Sequence, residues 1–434
     1  MDPTTGGLSS RREFLRGVVA GAALLGCGGA GFACGWAPAP ELSVQPRRVR
    51  ADEPFVARLE GLPPGERAVF SADFVDEMLR EWSSTAVFEA NEGGIVDTSE
   101  HSPIEGSYET GDPTGLIWSA LGADFYAPTT GVSTVTVTAR AGDLELSAEV
   151  ERYAMADGVE AADVRAEGLF GRILSPARGE RPAPGVLVLG GFEGGLSPHS
   201  AYEAALLASR GFAALALAYF RGEYFGAGIP PGALPENLAG IPLEYLGRAV
   251  RWLGERDGVD PDRLGVVGHS RGGELALLLG ATNPELKAVV SCAGSGVSFP
   301  SPEGDGPAWT LGGEPVPHLP YASDGSRPRE GAIRRAEIPV ERTNGPVLLI
   351  AGEDDALWPS ELFSRLAYDR LLRHGHPHGD ELAVYPGAGH LIRAPYAPAA
   401  PGRAQFGGDA RANAEACEDS WRKVTTLLEE NLKP

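Results

Sequence analysis

Leu264-Gly265-Val266-Val267 is a short apolar run that passes without a break into Gly268-His269-Ser270-Arg271-Gly272 and then into the helix-like stretch Glu274 to Leu279. Strand, sharp turn and helix are the setting in which Gly-x-Ser-x-Gly works as a nucleophile elbow. The turn forces the serine into a strained backbone conformation, and side chains at the two flanking glycine positions would collide with neighbouring strands. Ser270 would then stand at the carboxyl end of a sheet, beside a helix N-terminus that favours negative charge.

The sequence around the elbow keeps the same rhythm. Val186 to Leu189, Ala213 to Ala218, Lys287 to Ser291, Val347 to Ala351 and Glu381 to Tyr385 read as strands. Between and after them lie helical stretches at Ser200–Arg210, Leu243–Glu255 and about Ala410–Leu428. In the second, Leu243, Leu246, Val250 and Leu253 recur on one face. Short apolar strands alternating with amphipathic helices predict an α/β domain over residues 156–434, a mostly parallel sheet covered on both faces. A Gly/Pro-rich stretch at about 294–345 is too long for a plain connection and predicts a lid-like insertion. Residues 41–155 read differently: short runs such as Phe55 to Leu59 and Val132 to Thr138, with a two-residue Val/Thr period, broken by Gly and Pro. They predict a small antiparallel β-sandwich, with one short helical turn at Asp73–Trp82.

Two partners for Ser270 follow in chain order. The strand Val347–Ala351 ends in Gly352-Glu353-Asp354-Asp355, where an α/β-hydrolase carries its triad acid. Asp355 is the candidate and Asp354 the rival, since adjacent side chains cannot both point at one imidazole. The strand Glu381–Tyr385 leads through Pro386-Gly387-Ala388-Gly389 to His390, a loop flexible enough to bring an imidazole to the serine. In that arrangement His390 takes the proton of Ser270 and Asp355 fixes the tautomer. The oxyanion hole would use the backbone N–H of Arg271 and that of Phe192, in Gly190-Gly191-Phe192-Glu193-Gly194-Gly195. That glycine-rich loop lacks the Lys and Ser/Thr of a phosphate-binding P-loop. His374, His376 and His378 alternate, but Gly and Pro interleave them, so a solvated loop is expected rather than a metal site. No cofactor is expected.

The chain of 434 residues carries a net charge of −22 and only three lysines, Lys287, Lys423 and Lys433. That balance disfavours binding to nucleic acid and to anionic lipid. No run of 18 apolar residues follows the first 40. Within residues 1–40, Ser10-Arg11-Arg12-Glu13-Phe14-Leu15 and the apolar Gly17 to Leu25 predict a twin-arginine export signal. Leu24-Leu25-Gly26-Cys27 reads as a lipobox, which makes Cys27 the expected lipid-bearing residue. The expected location is the periplasm, or a membrane face to which Cys27 anchors the chain. Cys292 and Cys417 remain in the body, as a pair or as two buried thiols.

From about Glu41 onward the chain resembles the acyl-CoA thioesterase and bile acid-CoA:amino acid N-acyltransferase family. The likeness is carried by Gly106-Ser107-Tyr108 with Asp112-Pro113-Thr114-Gly115-Leu116-Ile117-Trp118, where Thr114 replaces an expected Met. It continues in Gly211 to Phe220, the elbow with Gly273-Glu274-Leu275, Ile338-Pro339-Val340-Glu341, Asp354-Asp355 with Trp358, and Gly389-His390 with Pro395-Tyr396. The resemblance implies a β-sandwich joined to an α/β-hydrolase domain, and a triad of Ser270, Asp355 and His390. It also implies an acyl-CoA substrate cleaved to a fatty acid and CoA. The amino-acid-conjugating branch has cysteine at the nucleophile position, so Ser270 shifts the expectation towards hydrolysis. Other readings are an exported carboxylesterase, an N-acyltransferase and a non-catalytic tethered binding protein. The phosphates of CoA would need cations. Arg327, Arg329, Arg334 and Arg335 are the dense basic stretch near the insertion, with Arg334 and Arg335 as candidate contacts.

Overall fold

The computed structural model describes residues 39–433 apart from 178, 180, 223–227, 305, 321–328 and 400–402, and apart from the side chains at 403 and 404. The expectations on the export leader, on Cys27 and on Arg327 lie outside the described residues.

The N-terminal part is built from two sheets. Glu41–Gln45, Val56–Glu60 and Val96–Asp97 form the smaller one. The larger runs in the order Arg48–Arg50, Leu144–Tyr153, Val132–Ala141, Arg67–Val75, Glu81–Glu89 and Glu105–Gly106. Neighbours are antiparallel except the first pair, which is parallel. Alternation does the sorting. Along Glu81–Glu89 every second residue, Trp82, Ser84, Ala86 and Phe88, is buried. The expected helical turn at Asp73–Trp82 is instead a hairpin. Asp76 Oδ1 accepts from the backbone N–H groups of Met78 and Arg80 and closes the bend.

The C-terminal part holds an eight-stranded sheet. Its strands are β1 (Glu160–Ala166), β2 (Leu169–Ser175), β3 (Ala183–Leu189), β4 (Ala213–Ala218), β5 (Val259–His269), β6 (Leu286–Cys292), β7 (Val347–Gly352) and β8 (Glu381–Tyr385). They lie in the order β1-β2-β4-β3-β5-β6-β7-β8. From β4 to β8 all pairings are parallel, and β1 and β2 form an antiparallel edge. The larger helices are α1 (Pro198–Ser209), α2 (Leu243–Gly254), α3 (Arg271–Thr282), α4 (Glu330–Ala336), α5 (Ser360–His374) and α6 (Ala410–Leu432).

Both faces of the sheet are covered, as its continuous apolar strands require. Leu187 and Leu215 point to α2 and α3, where Leu246, Val250, Leu253 and Leu275 are buried. Val186, Val188 and Ile350 point the other way, to Leu207 of α1 and Val424 and Leu428 of α6. The segment between β6 and β7 carries α4 and a short strand, Trp309–Leu311, paired with Ile241–Pro242 ahead of α2.

The two parts are joined through buried polar groups. The side chain of Asp52 is fully buried, and it accepts from Arg50, from Arg210 at the end of α1 and from Trp421 Nε1 of α6. Arg152, at the end of the larger sandwich sheet, donates to the carbonyl of Ala51 at 2.6 Å and to that of Tyr396 at 2.7 Å.

Candidate active site

The elbow sits where β5 meets α3. Ser270 has φ +58° and ψ −123°, a conformation side chains other than glycine rarely adopt. The flanking glycines have steric work to do. A Cβ on Gly268 would lie 2.0 Å from the carbonyl oxygen of Gly272, and one on Gly272 would lie 2.3 Å from those of Leu189 and Gly190. The Ser270 N–H donates to Cys292 O, 2.8 Å away at the end of β6. Arg271 opens α3, so its N–H has no partner inside the helix.

The loop after β3 lies against the serine. A Cβ on Gly191 would come 3.0 Å from Ser270 Cβ. Tyr219, buried at the end of β4, donates its hydroxyl to the carbonyl oxygens of Gly190 and Gly191, 2.8 Å from each. In a trans peptide the N–H points opposite to the C=O. The Phe192 N–H is therefore turned away from Tyr219. Tyr219 was not singled out as a site residue from sequence, because its role is a contact between two strand ends.

The side chains expected to act as acid and base, Asp355 and His390, meet across the ends of β7 and β8. His390 Nδ1–H donates to Asp355 Oδ2 at 2.7 Å, and both side chains are sealed from solvent. Asp355 Oδ1 accepts from the N–H groups of Leu357 and Trp358. Asp354 is exposed. The His390 ring stacks on Phe406 and meets the edge of Trp358. Trp358, Phe299 and Phe363 form one aromatic group beside it. Among the described hydrogen bonds none joins Ser270 Oγ to His390 Nε2.

The Arg271 side chain is committed elsewhere. It pairs with Glu274 at 3.2 Å, bonds the carbonyls of Phe299 and Pro300, and lies over the Phe299 and Trp309 rings. Glu274, fully buried, also accepts from Trp309 Nε1, Ser298 Oγ and the Phe299 N–H. Burial pushes its carboxyl pKa up, and Arg271 opposes that. This carboxylate pins the insertion to the elbow helix, and sequence reading gave it no role.

Arg334 and Arg335 are exposed on α4, and Arg334 pairs with Glu330. That helix packs through Ala332 and Ala336 beside Val297 and Phe363. Among the described hydrogen bonds and ion pairs, none joins either arginine to Ser270, Asp355 or His390. The solvated loop expected across His374, His376 and His378 does not form as such: His374 ends α5, and the His376 side chain is sealed between Asp380 Oδ2 and Thr343 O, at 2.7 and 2.9 Å. Among the described residues no set of three His, Cys, Asp or Glu is placed to hold a metal. Cys292 and Cys417 are not bonded to each other. Burial raises both thiols, that of Cys417 to about 11, so neither is a thiolate at neutral pH.

A mostly parallel sheet with this strand order, a strained serine elbow and a buried Asp–His pair at its carboxyl edge define an α/β-hydrolase enzyme. Residues 52–166 match the acyl-CoA thioester hydrolase/BAAT N-terminal region, and residues 241–305 and 306–434 match the BAAT/acyl-CoA thioester hydrolase C-terminal region. The chain belongs to the acyl-CoA thioester hydrolase/BAAT family. It is similar to acyl-coenzyme A amino acid N-acyltransferase 1 of Mus musculus, 30% identical over 441 residues, covering 90% of this chain and 98% of that one. The peroxisomal succinyl-coenzyme A thioesterase of Mus musculus is 29% identical over 439 residues, covering 91% and 97%. Acyl-coenzyme A thioesterase 1 of Homo sapiens is 29% identical over 416 residues, covering 88% and 94%.

Proposed function

We propose that this enzyme hydrolyses an acyl thioester or ester through an acyl intermediate on Ser270, in the manner of an acyl-CoA thioesterase. The observation that carries this reading is the buried Asp355–His390 pair beside the strained Ser270 elbow. With Nδ1–H committed to Asp355, Nε2 is the free base of a neutral His390. It takes the Ser270 proton as Oγ attacks the acyl carbonyl. The Arg271 and Phe192 N–H groups meet the developing oxyanion. His390 then returns the proton to the leaving thiol or alcohol. A water, deprotonated by the same nitrogen, cleaves the acyl-serine to a carboxylic acid and restores Ser270.

Serine supports hydrolysis over conjugation, because an oxygen ester is attacked readily by water while a thioester favours amines. The CoA phosphates would meet Arg334 and Arg335. The surface pair of Arg334 with Glu330 is worth only about 0–1 kcal/mol and exchanges at little cost. The paired Arg11-Arg12 and the Cys27 lipobox support export, which would bring esters other than CoA thioesters within reach.

The test is a panel of acyl-CoAs of several lengths against matched p-nitrophenyl esters, with and without glycine or taurine. A burst of leaving group and free acid as product are expected, with Ser270→Ala inactive. An acyl-amino acid as the main product would instead establish acyl transfer. Full activity in Ser270→Ala would remove the reading.

A further inference from the structure

Behind the elbow lies a group of buried and half-buried polar side chains that acyl transfer does not use. His269 fills the variable slot of the elbow, and its Nε2 is 3.0 Å from the backbone carbonyl of His390. A carbonyl only accepts, so Nε2 carries the proton. Nδ1 has no partner among the described residues. The ring of His269 meets that of His390 edge-on, with centroids 5.2 Å apart. Beyond His390, Arg393 reaches Glu193 of the loop after β3, with Nη2 and Oε1 3.6 Å apart. Glu193 folds back under its own loop: its carboxylate oxygens lie 2.9 Å from the Cβ position of Gly190 and 3.0 Å from that of Gly191.

We propose that His269 and the Glu193–Arg393 pair are positioning residues. The first fastens the His390 backbone to the elbow, and the second fastens the His390 segment to the loop that carries Phe192. The need is set by the loop itself. The bonds that hold the chain at His390, Gly389 N–H to Asn413 Oδ1 and His390 N–H to Phe406 O, run towards α6 and not to the elbow or to the loop after β3. Nucleophile, base and oxyanion donor stand on three separate segments, and an error of 1 Å in such a set costs about a hundredfold in rate. The two ties connect all three segments directly. Neither touches substrate, so their loss acts on kcat. The inference rests on the reading that Ser270 and His390 carry the reaction.

Three variants test it. His269→Gln keeps an amide N–H at about the reach of Nε2, His269→Leu fills the space without a donor, and Glu193→Ala cuts the second tie. His269→Leu and Glu193→Ala are expected to lower kcat about tenfold or more with KM within about twofold. His269→Gln is expected to recover most of the lost rate. Wild-type kcat in His269→Leu, or an equal fall in Gln and Leu, overturns the role of His269. If His269→Leu does not fold, Glu193→Ala decides, and an unchanged kcat there overturns the proposal. Ser270→Ala in the same assay separates the failures: if it is active, the serine mechanism itself is wrong. If it is dead while the other variants run at wild-type rate, only the positioning role fails.

Discussion

Asp355 and His390 are joined by a 2.7 Å hydrogen bond although they stand 35 positions apart in the chain, with all of α5 and β8 between them. The bond is made by one of two neighbouring aspartates. Asp354 faces solvent, while Asp355 is held from behind by two backbone N–H groups.

Asp355→Asn is therefore expected to cost about 10³–10⁴ in kcat, because an amide can donate to Nδ1 and stabilise the wrong tautomer. Asp354→Asn should change little. Initial rates on one acyl substrate separate the two, and the reverse order would assign the acid to Asp354.

The packing around the elbow makes its glycines intolerant of a methyl group. Gly272→Ala places Cβ against two carbonyl oxygens and should destabilise by about 1–3 kcal/mol or more. Gly131, whose added Cβ meets nothing within 4 Å, is the control, and its alanine variant should unfold at an unchanged urea concentration. Equal midpoints for both variants would contradict the steric account.

Burial first, then Arg393 and His390, hold the His269 imidazole pKa well below 6.5. A base with a lowered native pKa contributes stability that is present above its unfolded pKa and is lost as pH falls towards the native value. Wild type should thus lose stability relative to His269→Gln below about pH 6.5, by up to about 1 kcal/mol per pH unit. Denaturant midpoints of both proteins at pH 7.5, 6.5 and 5.5 measure the difference directly. A constant difference across that range would mean that the imidazole is not held neutral.

Asp52 is a single carboxylate facing Arg50, Arg210 and Trp421. Asp52→Ala leaves Arg210 and the Trp421 indole N–H without their acceptor and Arg50 with Glu53 alone, a loss of about 1–3 kcal/mol. Calorimetry is expected to show a lowered transition. An unchanged midpoint would mean that the ion cluster contributes nothing net.

The parts of the enzyme legible in its sequence are those written in local rules. The elbow needs its glycines at fixed offsets from Ser270. Asp355 and His390 follow glycines at the ends of apolar strands, and the Leu243, Leu246, Val250 and Leu253 stripe of α2 is buried as its spacing predicts. The edge strands β1 and β2 escaped notice because their turn, Glu167-Gly168, has positive φ at both residues without the Asn-Gly or Asp-Gly that signals such a hairpin. The 73–82 hairpin carries no glycine signal, because its bend is closed by a side chain, Asp76. Contacts across long sequence separation leave no local trace. Asp52 and Trp421 are 369 residues apart, and nothing near either one names the other. The same holds for Tyr219 and Glu274, whose partners are known only once strand ends and insertion are assembled.

The Arg152 contact with Tyr396 bears on how the polypeptide can be cut. A fragment beginning at residue 156 would keep every proposed catalytic group and still lose the guanidinium that grips the chain just beyond His390. It would also bare the indole of Trp421 and the Arg210 side chain where Asp52 had been. The sandwich is thus part of the scaffold of the hydrolase, and transplanting or trimming it amounts to editing the eight-stranded part from behind.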